Sequence, residues 1–198
     1  MKEIFTEFLL NYFHERIVLS SQDRELIANA YELRKYEKKE FIFEQGEICR
    51  IESFVVKGSC KVFHTDNNGQ EHILYFAFKD WWVGDIASFN SNDPAIMSAK
   101  ALEETFVLSI NPDKKEKLFV QIPQLERMFR IITQRTLTVL QKRFFLAMSG
   151  SAKDRYLQLI ERHPKIEQLV PQYQIASYLG ILPESLSRIK KQLHAQSI

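Results

Sequence analysis

The sequence predicts an α+β protein in which a β-roll of the jelly-roll or double-stranded β-helix kind precedes a long helix and a C-terminal helix-turn-helix. Three observations carry that expectation. Between residues 33 and 110, short runs of aromatic and β-branched residues alternate with glycine-bearing turns. From Pro123 to about Met148, apolar residues recur at helical spacing over more than one face. From Gln172 to Lys191, two short amphipathic patterns flank a glycine and a proline, as a steep turn between two helices requires.

Taken in order, the first thirty residues read as helices. Ile4, Phe5, Phe8, Leu9 and Phe13 recur on one face, and Ser20-Ser21 supplies an N-cap for a second helix through Tyr31. From Leu33 the period shortens to that of strands. The runs are Phe41–Phe43, Phe54–Val56, Cys60–Phe63, Ile73–Phe78, Met97–Leu102 and Phe106–Ile110. Turns fall at Gln45-Gly46-Glu47, Lys57-Gly58-Ser59 and Asp66-Asn67-Asn68-Gly69, the last a strong hairpin signal because Asn-Gly tolerates positive φ. A total of about eight strands fits a closed or double-sheet β-domain, with an interior expected to admit a small ligand.

Asn111-Pro112 starts a short helix and Pro123 a long one. Leu125, Met128, Phe129, Ile131, Ile132, Leu137, Val139, Leu140, Phe144 and Phe145 cover so wide an arc of the long helix that it must be buried on two sides. One side packs on its own β-domain. The other predicts a parallel, coiled-coil-like homodimer, with a singly buried helix inside a monomer as the alternative. Ser149-Gly150-Ser151 is the flexible step, giving expected domains at 1–118, 119–148 and 149–198. Ser151 with Asp154 forms a capping box for the helix Ala152–Arg162, which His163-Pro164 stops.

In the helix-turn-helix, Ile175 and Leu179 form one apolar stripe, Leu186 and Ile189 another, and Ala176 is small where the helices cross. Gly180 suits the left-handed position that ends the first helix, and Pro183 opens the second. With that second helix in a major groove, Glu184, Ser185, Ser187 and Arg188 face base edges, while Lys190 and Lys191 suit phosphates. The plainer alternative is a helical hairpin on which Glu184 and Arg188 make a solvated pair. Charge adds weight to DNA. From Lys142 onward there are nine Lys/Arg against four Asp/Glu, while residues 1–141 carry 18 against 21.

Other classes find little support. No apolar run reaches the length of a membrane span and no basic-then-apolar signal segment opens the chain, so a cytoplasmic setting is expected. Cys49 and Cys60 are isolated, and His14, His64, His72, His163 and His194 show no ligand spacing. No metal, cofactor or enzymatic activity is expected. A dioxygenase centre needs a His-x-His step with a nearby Glu, which His64 and His72 do not supply, and no Ser/His/Asp or Cys/His set is visible.

The chain resembles the cyclic-AMP receptor protein/FNR (Crp/Fnr) family of bacterial transcription regulators over nearly its whole length. The resemblance rests on Val55-Val56-Lys57-Gly58-Ser59, on Asn68-Gly69-Gln70-Glu71 followed by Ile73-Leu74, on Trp82-Val83-Gly84-Asp85, on the long helix, and on Glu184-Ser185-Leu186-Ser187-Arg188. It implies a cyclic-nucleotide-binding-like β-roll, a homodimer through the long helix, and a DNA-reading domain that recruits or blocks RNA polymerase. A ligand in the β-roll is then expected to change how the long helices pack and so to reorient the reading helices. The implied effector pocket comprises Gly84, Asp85, Ile86, Ala95, Ile96, Leu140 and Gln141.

Two departures qualify that picture. In cyclic-AMP binders a Glu after the Gly84-like residue meets the ribose hydroxyl and an Arg-Ser pair meets the phosphate. Here Asp85 is shorter by one methylene, and the pair falls on Ala95 and Ile96, leaving a buried phosphate uncompensated at a cost of several kcal/mol. Leu140 and Gln141 stand where hydroxyl side chains meet the adenine. The expected effector is therefore something other than cyclic AMP, or none. The first forty residues contain no cysteine cluster of the FNR kind. His72 is the candidate ligand should a haem bind. The second departure is the wing, a β-hairpin for which residues 194–198 are too short: either there are fewer phosphate contacts, or the sequence stops short of a wing that the protein has. The leading expectation is a homodimeric regulator reading a pseudo-palindromic site. The alternative is a ligand-sensing or scaffold module of the same fold that no longer reads DNA.

Overall fold

The computed structural model describes residues 1–196. Two helices open the chain, α1 (Lys2–His14) and α2 (Ser21–Ala30). Strands β1 (Glu32–Tyr36), β2 (Phe41–Phe43), β3 (Glu52–Lys57), β4 (Cys60–Thr65), β5 (Glu71–Ala77) and β6 (Trp82–Val83) follow. Helix α3 (Ile86–Ser91) leads to β7 (Ser98–Ala101) and β8 (Thr105–Ile110). Helices then complete the chain: α4 (Pro112–Gln121), α5 (Pro123–Ser149), α6 (Ala152–Arg162), α7 (Ile166–Leu169), α8 (Gln172–Leu179) and α9 (Pro183–Gln196).

The strands form two antiparallel sheets, ordered β1-β8-β3-β6 and β2-β7-β4-β5. Each strand of a buried sheet must serve two apolar faces, and the two-residue period divides the work. In β3, Val55 points between the sheets while Phe54 and Val56 point to the helices. In β8, Val107 goes inward, and Phe106, Leu108 and Ile110 go outward. The outer face of the first sheet carries α1, α2, α4 and the start of α5, in a core built on Phe13, Ile27, Tyr31, Leu125 and Phe129. Trp82 stands among Phe13, Tyr31, Phe54 and Phe129. The outer face of the second sheet carries the C-terminal helices.

The local signals of the sequence act where their chemistry demands. Ser20 accepts from the Asp23 N–H and Asp23 from the Ser20 N–H, closing a capping box on α2. Ser151 and Asp154 repeat it on α6. Gly58 has φ +88° at the β3–β4 turn, where a Cβ would lie 2.5 Å from the Glu104 carbonyl oxygen. Two expectations are corrected. Helix α1 buries Thr6, Leu9, Leu10 and Phe13, leaving Ile4 exposed, so its core face is rotated from the predicted stripe. The space between the sheets is filled rather than open: Tyr36, Phe43, Val62, Ala77 and Ala99 pack there with both cysteines. Burial pushes the Cys60 thiol up to about 12, leaving it protonated and inert.

Candidate nucleic-acid interface

The C-terminal helices meet as the residue types require. Gly180 takes the left-handed conformation at φ +66°, its N–H bonded to the Ser177 carbonyl at 3.0 Å, while the Ile181 N–H returns to Ala176 at 3.0 Å. Ile175, Ala176, Leu179 and Leu186 lock α8 to α9 in the buried seam. The outward side chains of α9 are polar, although Leu182 in the turn and Tyr173 are also exposed. Glu184, Ser187, Arg188 and Lys191 are exposed, and Ser185 is half-buried with its Oγ 3.2 Å from Arg188 Nη2. Among the described residues Glu184 and Arg188 form no ion pair, so the guanidinium is held by a neighbouring hydroxyl instead.

Lys190 stands apart from this face. Its Nζ lies 2.7 Å from Glu167 Oε1, which also accepts from Tyr156 Oη at 2.9 Å, so Lys190 ties α9 to α7 and α6. Burial raises the Glu167 pKa, but the hydrogen bonds from Lys190 and Tyr156 outweigh it and hold the carboxyl below its usual range. Sequence spacing alone did not reveal this tie, because Glu167 lies on a separate short helix.

Helix α8 is seated on β5 of the same chain. The Ser177 hydroxyl donates to the Glu71 carbonyl at 2.8 Å and accepts from the Ile73 N–H at 3.2 Å. Arg143 Nη2 donates to the Tyr178 carbonyl at 3.1 Å and the Ile73 carbonyl at 3.4 Å, while its guanidinium lies 4.0 Å from the Tyr178 ring centre. Phe76 meets Tyr178 at 5.5 Å between centroids, and His163 sits against Phe78 and Trp81. Ser177 and Arg143 are ties between elements that the sequence reading missed. No local signal marked them, since Arg143 is one of four arginines along α5.

Beyond its first turns α5 loses cover. Leu125, Met128 and Phe129 are buried, but Leu137, Leu140, Phe144, Phe145 and Met148 are 48–74% exposed. Leu137, Leu140, Phe144 and Met148 recur at steps of three, four and four along a single stripe.

At the expected effector pocket, Asp85 and the backbone around it bond to one another. Asp85 is 1% exposed and caps α3: Oδ1 accepts from the Ser88 N–H at 3.1 Å and Oδ2 from the Ile96 N–H at 3.0 Å. The Ala95 N–H is bonded to Glu47 and its carbonyl to the Gly46 N–H, both at 2.8 Å, and the Ile96 carbonyl meets His64 Nδ1 at 2.9 Å. The backbone N–H groups that an anion needs at Ala95 and Ile96 are therefore spent. Gly84 is half-buried, packed close to the Ile51 carbonyl, and Ala95 is buried. Ile86, Ile96, Leu140 and Gln141 are exposed. His72 bonds Asp66 Oδ2 at 2.8 Å, and among the described residues no group of His, Cys, Asp and Glu is placed to hold a metal.

Comparison with known proteins agrees with this architecture. Residues 33–121, the span of the two sheets and α4, match the cyclic nucleotide-binding domain. The transcriptional activator protein Anr of Pseudomonas protegens is 28% identical over 167 residues, covering 79% of this chain and 68% of that protein. The cAMP-activated global transcriptional regulator CRP of Escherichia coli O157:H7 is 24% identical, covering 84% of each chain. The chain is similar to transcription regulators of the Crp/Fnr family. Its fold is shared with FixK2 of Bradyrhizobium japonicum, at TM-score 0.72 and 21% identity over 85% of this chain and 86% of that one. It is shared also with the c-di-GMP responsive regulator CLP of Xanthomonas campestris, at TM-score 0.68 and 17% identity over 90% and 93%. Both curated relatives carry the names of transcriptional regulators, and among the described residues no helix is long and apolar enough to cross a membrane.

Proposed function

We propose that the chain is a cytoplasmic, non-enzymatic transcription regulator that binds double-stranded DNA as a homodimer. The observation that carries this reading is the outward polar face of α9, held on a buried helix-turn-helix seam. Arg188 reaches guanine O6 and N7, Glu184 accepts from cytosine, Ser185 and Ser187 serve base or phosphate, and Lys191 meets backbone phosphates. Lys190 contributes by fixing the helix through Glu167. Dimerisation along the exposed stripe of α5 supports the geometry, since each apolar side chain fully buried there stabilises by roughly 1.5–3 kcal/mol. A two-fold pair of reading helices then fits a pseudo-palindrome with half-sites about one helical turn apart. RNA polymerase is the expected further partner.

The domain division at 1–118, 119–148 and 149–198 belongs to this reading, with α5 coupling sensor to reader. The saturated groups around Asp85 and Ile96 favour an effector other than cyclic AMP, or regulation without one in the β-roll. Gel-shift titration with genomic fragments tests the reading. Preferred retardation of particular fragments supports it, whereas uniform weak binding supports a sensing or scaffold module of the same fold.

A further inference from the structure

The basic surplus of the C-terminal region is not spent on the reading face alone. Arg143 of α5 and Arg155 and Arg162 of α6 line one cleft, walled by Leu146, Leu179 and the Tyr178 ring, with no carboxylate in its lining. The cleft's water-accessible volume is about 20 Å³, so an occupant sits largely at its mouth. Among the described residues none of the three arginines forms an ion pair with a carboxylate.

Their donors are only partly used. Arg143 spends Nη2 on two backbone carbonyls, and Arg155 spends Nε and Nη1 on the carbonyls of Leu179 and Gly150. Arg162 donates no hydrogen bond among the described residues. A guanidinium carries five N–H donors, so several remain on each side chain. Carbonyls orient these groups but do not neutralise them, and three like charges around one cleft repel. Burial disfavours the charged form of Arg143, and its pKa is lowered accordingly. An anion relieves both costs. The planar fork of guanidinium matches phosphate oxygens in pairs.

We propose that this cleft is a phosphate-binding site, taking inorganic phosphate or the phosphate of a small phosphomonoester, and that its occupant clamps α6 and α8 to the end of α5. The site straddles Gly150, where the long helix ends and the reading domain begins. Occupancy therefore stiffens the joint between them. It lies away from the reading face of α9 and does not depend on that face touching DNA.

The test uses the full chain without DNA, titrated with sodium phosphate, with adenosine monophosphate, and with sodium chloride at matched ionic strength, reading the thermal midpoint. The expected result is a saturable rise with phosphate that chloride does not reproduce. A rise at lower concentration with the monophosphate identifies a phosphomonoester as the better occupant, and equal rises identify phosphate alone. Arg162→Gln, which breaks no hydrogen bond of the fold, is expected to weaken the response by roughly tenfold, the loss of one charge-assisted contact. Arg155→Gln provides a second variant. A response matched by chloride, a response unchanged in both variants, or one that appears only when duplex DNA is present overturns the proposal. Selection of DNA sites by Arg162→Gln is expected to match the parent, which separates failure here from failure of DNA reading.

Discussion

Ser177 Oγ lies 2.8 Å from the Glu71 carbonyl oxygen, joining α8 to β5 across 106 residues of chain. The same hydroxyl accepts from the Ile73 N–H, so one side chain completes both hydrogen-bonding groups of an outer strand. Because α8 carries α9 through the Gly180 turn, the second sheet helps set where α9 points. Ser177→Ala leaves both groups on β5 without their partner, and a buried group so stranded costs about 1–3 kcal/mol. The expected outcome is a lower thermal midpoint together with faster hydrogen exchange at Ile73.

The two glycines with defined strain separate conformational from steric cost. Gly180 has φ +66° and open space where a Cβ would stand, so Gly180→Ala costs only the left-handed penalty, about 1–2 kcal/mol. Gly58→Ala meets the Glu104 carbonyl at 2.5 Å and the Thr105 Cα at 2.8 Å and must move backbone as well. Denaturant titration is expected to rank Gly58→Ala well below Gly180→Ala.

Asp85 is expected to behave as a structural cap rather than a ligand contact. Asp85→Asn keeps one carbonyl oxygen but replaces the other acceptor with a donor facing the Ile96 N–H, so a lowered midpoint of about 1–3 kcal/mol is expected. Calorimetry with cyclic AMP is expected to give no saturable heat for either protein. Low-micromolar binding abolished by Asp85→Ala contradicts the reading of Asp85 as a cap.

Acid sensitivity follows from two groups. Burial, then the neighbouring Arg162, lowers the His163 pKa from its ordinary 6.5, so the unfolded chain takes up its proton first. Its contribution is fully present above 6.5 and is lost as pH falls through the lowered folded value. Glu167, held below its ordinary 4.5, contributes above that value and loses its part as pH falls through its folded value. Thermal midpoints are expected to decline in two stages on acidification. His163→Phe, which keeps an aromatic ring against Phe78 and Trp81, is expected to remove the upper stage and leave the lower.

Much of this architecture was legible because its signals are local. The capping serines at 20 and 151, the left-handed Gly180, and the prolines opening α4, α5 and α9 each fix one backbone choice from chemistry within a few residues. The strands β1 and β6 were less visible: Glu32–Tyr36 is mostly polar and Trp82–Val83 has only two residues, so pairing with β8 and β3 makes them strands. The α1 face was misjudged because Leu10 and Thr6 are buried by the sheet and α2, a demand that periodicity within one helix does not show. The ties Ser177 to Glu71 and Lys190 to Glu167 were out of reach for the same reason. The candidate effector residues were placed by resemblance, which says nothing of whether Asp85 will bond its own chain.

The most direct measurement is selection of duplexes from a random pool by the full chain, with the mass of the retained complex determined. Two α9 helices presented by a dimer return an enriched pseudo-palindrome with half-sites about one turn apart, bound by two chains, and Arg188→Ala relaxes one base position per half-site by about 1–3 kcal/mol. A pool without an enriched palindrome, a single chain per duplex, or the same preferences in Arg188→Ala contradicts base reading by a paired α9.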